Sequence, residues 1–176
     1  MDWYMDRGVR TAVTELRREI KAQLARHADA SQDELADAEL ITGELWVAAD
    51  IGGQMEQEYR RASGAQGQPL SAEQIAECLV RLKAAIGGTF RVVEVMPERI
   101  VLVNSRCPFG AEVQHSPSLC RMTSAVFGGI AARNADEAAV SLDERIAVGD
   151  PGCRVVVHLG AAAKSAQRAH HYTVAH

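Results

Sequence analysis

The chain has no excess of basic residues: 19 Lys and Arg against 23 Asp and Glu leave a net charge of −4 and a pI near 5.9. Non-specific nucleic-acid affinity comes mainly from Lys and Arg neutralising phosphates, so no direct nucleic-acid partner is expected. No apolar run approaches the ~18 residues of a membrane span. The opening stretch, MDWYMDRGVRTAV, lacks the basic segment and apolar stretch of a secretory leader. A soluble, cytoplasmic protein without a membrane partner is therefore predicted. Four cysteines are too sparse for a disulfide-stapled secreted domain. Gly87-Gly88 and Gly128-Gly129 lack the following Gly or Lys-Ser/Thr of a phosphate-cradling loop. Glu39, Glu44 and Asp50 do not stand at the i, i+4 spacing of paired carboxylates beside a histidine, and a solvated helix face explains them. Enzymatic readings lose ground accordingly, with a thiol enzyme the weakest class retained.

What is present is an ordinary core: 47% apolar and 24% charged residues predict one compact domain with an attached helical element. Val9, Val13, Leu16, Ile20 and Leu24 recur at steps of three and four, predicting a helix to about Arg26. Ser31 and Glu34 form a capping box that opens a second helix to about Arg61, with Gly52-Gly53 as a kink point. SGAQGQP at residues 63–69 is a linker, after which Ser71 with Gln74 repeats the capping signature. The helix that follows carries Ile75, Cys78, Leu79, Leu82 and Ile86 on one face and stops at Gly87-Gly88, which places Cys78 toward the core. TFRVVEVM and RIVLVNS then read as antiparallel strands joined at Pro97-Glu98, the second of them central. A helix begins at Cys120 and runs to about Asn134, with Met122, Val126 and Ile130 on one face and Gly128-Gly129 marking close backbone packing. AAVSLDERI, the AVGDPGC turn and a final buried strand RVVVHL follow. Residues 161–176 read as a solvated tail. The fold class is α+β: an antiparallel sheet packed with helices, preceded by an N-terminal helical pair. The expected divisions are N-terminal helices over 1–62, a sensor domain over 70–160 and the tail.

Cys107, Cys120 and Cys153 each occupy an element boundary: a strand end, a helix start and a turn-to-strand junction. Loops at one edge of a sheet collect in space, so the three thiols can converge. Thiolates favour soft or borderline ions and iron–sulfur clusters, which makes zinc or an iron–sulfur cluster the cofactor expected. A tetrahedral site needs a fourth ligand, and His115 in the same loop is the candidate, with Asp150 and Cys78 behind it. The spacing Cys-x12-Cys-x32-Cys matches neither a zinc finger nor a ferredoxin run. A helix N-terminus also lowers a thiol pKa, so Cys120 is a second kind of candidate, a reactive or redox thiol reinforced by Arg106 and Arg121. Free cysteine is also among the most buried residue types, and simple packing stays open as a third reading. His158 reads as hydrogen-bonded packing in a strand, and His170, His171 and His176 as part of the solvated tail.

The pieces GGQMEQEYR, LSAEQIAECLVRLKAAIGGTFRVVE, RIVLVNSRCPFG, SPSLCRMTSAVFGGIAARN and IAVGDPGCRVVVHL closely resemble the methanogen output domain, a small domain of prokaryotic signalling proteins. GDPGCRVVV is also similar to the terminal motif of vinyl-reductase-like sensor domains, whose α+β fold resembles Golgi transport and nitric-oxide-sensing haem domains. The Cys107-x12-Cys120 spacing with a later GD-x-x-Cys is similar to the cluster-binding part of SufR-type iron–sulfur regulators, although their intervening cysteine is absent here. The resemblance implies a non-catalytic signalling module that senses a ligand. An amphipathic helical pair beside it implies a homodimer, with a signalling protein as a further partner. The alternative is a small-molecule-binding module with an apolar pocket between sheet and helices.

Overall fold

The computed structural model describes residues 52–85, 87–107, 110–114 and 120–174. The helix expected from Val9 to Arg26 lies outside these residues, as does the Ser31 capping box. Helix α1 is described over 52–63, and α2 spans Ala72–Ala85. Strands β1 (Arg91–Met96) and β2 (Arg99–Asn104) lead through a short 3-10 turn (Gly110–Gln114) to α3 (Cys120–Ala135). The chain continues through β3 (Glu137–Glu144), a 3-10 turn (Ile146–Val148), β4 (Cys153–Leu159), α4 (Ala161–Ser165) and β5 (Ala169–Thr173).

The linker before α2 is a loop, and the capping box behind it forms as its residues dictate. Ser71 N donates to Gln74 Oε1 at 3.0 Å, and Gln74 N donates to Ser71 Oγ at 3.3 Å. These bonds satisfy two amides that the helix itself leaves unpaired. Ile75, Cys78, Leu79 and Leu82 are buried, as their spacing predicts. Gly87 ends the segment at φ 89°, the left-handed backbone that glycine supplies without a Cβ clash.

The five strands form one antiparallel sheet in the order β1-β2-β4-β3-β5. β2 is an inner strand, but β4 holds the centre, because it pairs with β2 on one side and β3 on the other. The apolar run RVVVHL is therefore more central than RIVLVNS. Side chains alternate faces along a strand, so register sorts them into rows. Val95, Ile100, Val157 and Val140 make one row on the inner face, and Leu102, Val155 and Leu142 the next. One step further, Cys153 pairs with Asn104, which puts Cys153 on that same inner face.

Residues 161–174 are not a solvated tail. They form α4 and the edge strand β5, which pairs with β3 from Glu137↔Thr173 to Ser141↔Ala169. Weak periodicity concealed a strand whose contacts are made by its ends and one face. Tyr172 and His170 reach α3, where Ser124 Oγ lies 2.8 Å from the Tyr172 hydroxyl and 2.9 Å from His170 Nδ1.

Helix α3 is buried almost all round, from Met122 to Gly128 and Ile130 to Ala132, which is the pattern of a helix enclosed by its domain. It packs on β3 and β5 on one side and receives α1 on another. A Cβ on Gly52 would lie 3.2 Å from Val126 Cγ1, and one on Gly128 would overlap the Tyr172 ring, so α1 and β5 both approach α3 closely. Met55 and Tyr59 of α1 are buried in the same core as α2 and the sheet. A buried carboxylate fastens the joint. Glu56 accepts from Arg133 Nε at 2.6 Å, Asn134 Nδ2 at 2.9 Å and Arg60 Nη2 at 2.9 Å.

Candidate functional site

Three of the four thiols come together. Cys107, just beyond β2, Cys120, the first residue of α3, and Cys153, the first of β4, line one cavity of about 30 Å³. Phe90, Asn104, Val113, Thr123 and Val155 complete most of its wall, with Arg145 at one side. None of the three is in a disulfide, and each is only partly exposed.

The local sequence explains how each element end is held there. Asn104 closes β2: its Oδ1 accepts from Thr89 N at 3.1 Å, Thr89 Oγ1 at 2.8 Å and Arg106 N at 3.3 Å. The GDPGC turn is fixed by Asp150, whose Oδ2 accepts from Arg145 N at 2.7 Å. Gly152 is required because a Cβ there would stand 2.9 Å from the Asn104 carbonyl oxygen, and Gly149 takes φ 100°. Ile146 N points at Cys153 Sγ from 3.5 Å, so that sulfur already accepts a backbone N–H.

Beside the cavity lies a buried cation that sequence reading missed. Lys83 of α2 is 3% exposed, and its Nζ donates to Thr123 Oγ1 at 2.6 Å. The same ammonium sits 5.8 Å from the Phe90 ring centroid and 5.5 Å from that of Phe127, within cation–π range. Burial pushes its pKa down to about 8, while Cys107, Cys120 and Cys153 all act to raise it. The helical pattern offered a signal: Lys83 follows Leu82 on the buried side of α2.

The thiol chemistry differs from the expectation for a helix N-terminus. Cys120 is pushed up to about 11, first by burial and then by Cys153, while Arg145 and Lys83 pull the other way. Desolvation of the thiolate is the largest influence and outweighs the pull of Arg145 and Lys83. Arg106 and Arg121 are exposed and do not wall the cavity, the role that Arg145 takes.

The other ligand candidates separate from this group. Cys78 is buried elsewhere in the core, pushed up to about 12 by burial and then by Glu56. Asp150 staples its own turn to Arg145 rather than lining the cavity. His115 lies outside the described residues. His158 bonds Ser141 Oγ at 3.3 Å, as a packed strand histidine does. Among the described residues, no group of three or more His, Cys, Asp or Glu is arranged to hold a metal ion.

A family model for methanogen output domain 1 matches residues 15–158. The chain belongs to that family. A signalling and regulatory role follows for this methanogen output domain at the level the family describes. No curated protein matches it. A solved structure with a similar course is the trafficking protein particle complex subunit 3 from Naegleria fowleri covalently bound to palmitic acid. The two share 13% identity at a TM-score of 0.49, over 89% of this chain and 97% of that one. Among the described residues, no helix is long and apolar enough to cross a membrane.

Proposed function

We propose that this methanogen output domain is a non-catalytic sensory module whose input is a soft metal ion taken up by Cys107, Cys120 and Cys153 as thiolates. The observation that carries this reading is the convergence of three thiols, from three different elements, on one small cavity. Its volume of about 30 Å³ suits one ion or about one or two water molecules. Zinc fits that space, whereas an iron–sulfur cluster needs the element ends to part. Uptake of either needs the three sulfurs to close on it together with a further donor, so the ends of β2, α3 and β4 would shift with loading. α3 runs from Cys120 to Arg133 and Asn134, which grip Glu56 of α1, so such a shift has a direct physical route to the N-terminal helices. Those helices are proposed to form a homodimer that passes the signal on, which light scattering of the full chain tests.

The small-molecule alternative calls for an apolar pocket between sheet and helices, and organic ligands ordinarily need ~300 Å³ or more. The three-thiol cavity is far below that. A groove of about 610 Å³ on the other sheet face, with Arg99, Ser141, Asp143 and His158, keeps this second reading open at a different place.

The test is anaerobic purification of the full chain followed by metal analysis and an absorption spectrum, beside a variant with all three cysteines changed to serine. Stoichiometric metal in the wild type and none in the variant supports the reading. A metal-free wild type that takes up neither zinc nor iron, with a variant that signals normally, sinks it.

A further inference from the structure

The outer face of the sheet carries a groove that takes no part in the three-thiol site. It measures about 610 Å³, within the ~300–1,000 Å³ that organic ligands ordinarily occupy. Register sets its floor: Arg99 stands opposite His158, and Val156, two residues along β4, stands opposite Ser141. Gly160, at φ 57°, turns the chain back, and α4 with the residues after it supplies a wall of Ala162, Ser165, Ala166 and Gln167. Leu159 N donates to the Glu98 carbonyl at 2.9 Å, which fixes the β1–β2 turn at one end of the groove. Asp143, in the bulge of β3, stands at the other end.

The charges of this groove do not balance. Among the described residues Arg99 is the only Lys or Arg that lines it, and that guanidinium is already engaged: Nε donates to Glu94 Oε1 at 3.0 Å, and Nη2 donates to the same oxygen. Glu98 and Asp143 line the groove too, and among the described residues neither side chain has a hydrogen bond or ion pair. His158 adds no cation near pH 7. Burial holds its pKa below the ordinary value, with Asp143 acting against that and Arg99 and His171 adding to it. Between the two acidic ends the surface is apolar at Val156, Ala162 and Ala166.

We propose that this groove binds an aliphatic polyamine, with ammonium groups at Glu98 and Asp143 and its methylene chain along Val156, Ala162 and Ala166. The inference rests on the small-molecule reading of this groove and gives that ligand a chemical class; the three thiols play no part in it. Glu98 and Asp143 stand two strands and about five residues apart in register, which puts roughly 15–20 Å between their backbones. A monoamine reaches one carboxylate at a time, whereas an extended chain with an ammonium at each end reaches both. Ser141 and Gln167 also line the groove and offer neutral acceptors to an inner amine. An anion would meet the same two carboxylates with the guanidinium of Arg99 already taken, so the groove selects against it.

The experiment titrates the full chain with spermine at low salt, where exposed charges are least screened, by calorimetry and by nuclear magnetic resonance. Spermine should shift the resonances of Val156 and His158 and bind more tightly than butylamine. Asp143→Asn and Glu98→Gln should each weaken it by about two- to fivefold, the size of an exposed ion pair, and the two changes together by the product of the two factors, because the residues are far apart. Glu73→Gln is the control for diffuse attraction to an acidic chain, since Glu73 is exposed on the first turn of α2 and lines no part of the groove. Weakening by Glu73→Gln as large as that by Asp143→Asn overturns the inference, as does spermine binding that neither groove variant changes. A wild type that ignores spermine but binds glutarate or glucose, with shifts at His158, overturns the polyamine class and leaves the small-molecule reading standing. A wild type that binds none of the three ends both.

Discussion

Gly128→Ala tests whether the C-terminal strand is locked to the helix that carries Cys120. In an exposed helix this substitution is favourable by about 1 kcal/mol, because alanine has the higher helix propensity. Here the new methyl overlaps the Tyr172 ring, whose Cγ would be 2.6 Å away. The ring is held at its far end, since its hydroxyl bonds Ser124 Oγ at 2.8 Å, and at its base, since Tyr172 pairs with Ala138 in the sheet. Relief requires β5 to move outward. Overpacking of this kind costs about 1–3 kcal/mol, and losing the Ser124 bond adds about 1 kcal/mol. Against the propensity gain, a net loss of about 1–3 kcal/mol remains. Gly129→Ala is the internal control, because its Cβ meets only the end of the flexible Arg133 side chain at 3.3 Å, and a gain of roughly 0.5–1 kcal/mol is expected. Urea unfolding midpoints read both changes, and hydrogen exchange over 169–173 reads the release of β5. Equal or greater stability of Gly128→Ala, with unchanged exchange in β5, would refute the packing argument.

Further consequences are open to the same measurements. Glu56→Ala removes the acceptor shared by Arg60, Arg133 and Asn134 and should cost about 2–3 kcal/mol, a value kept low because Arg133 is partly solvated; urea unfolding checks it, together with faster exchange in residues 52–63. Ser71→Ala deletes half of the capping box and should cost about 1 kcal/mol by the same assay, whereas Ser71→Asp should restore most of it. Cys78 should be the last thiol to react with iodoacetamide under native conditions, read by peptide mass, because it is 2% exposed and its pKa is pushed up to about 12. The raised value also has a sign in stability. The folded state holds the Cys78 proton more tightly than the unfolded chain does, so this contribution is complete below about pH 9 and is lost as pH rises toward about 12. Unfolding midpoints measured across that window should fall less steeply in Cys78→Ala than in the wild type.

Local rules reach far into this protein where one residue type can do only one job. The Ser71 and Gln74 side chains cap α2, Gly87 ends its segment, and Pro97-Glu98 turns β1 into β2, because each depends on backbone chemistry within a few residues. The period of the apolar residues likewise placed Cys78 inside α2 and started a helix at Cys120. The alternation of RVVVHL even implies that Cys153 shares a face with Val155 and Val157.

Distances across the chain follow different physics. Strand order depends on which faces the helices cover, and this made β4 the centre and turned a histidine-rich tail into β5, paired to a strand about 30 residues earlier. The fate of a thiol proton is decided by water exclusion, which raised Cys120 against the pull of Arg145 and Lys83. Lys83 shows the same limit most clearly: it stands four residues after Leu79 on the buried face, yet a lysine in such a place ordinarily carries its charge out to solvent. Sequence alone determined the elements from α2 to β4, the cap of α2 and the element-boundary positions of the three thiols. Only the tertiary structure decided that those thiols meet, that Cys78 and Asp150 stay apart from them, and that a buried ammonium waits beside them, because charge and burial depend on what the rest of the chain places within a few ångströms.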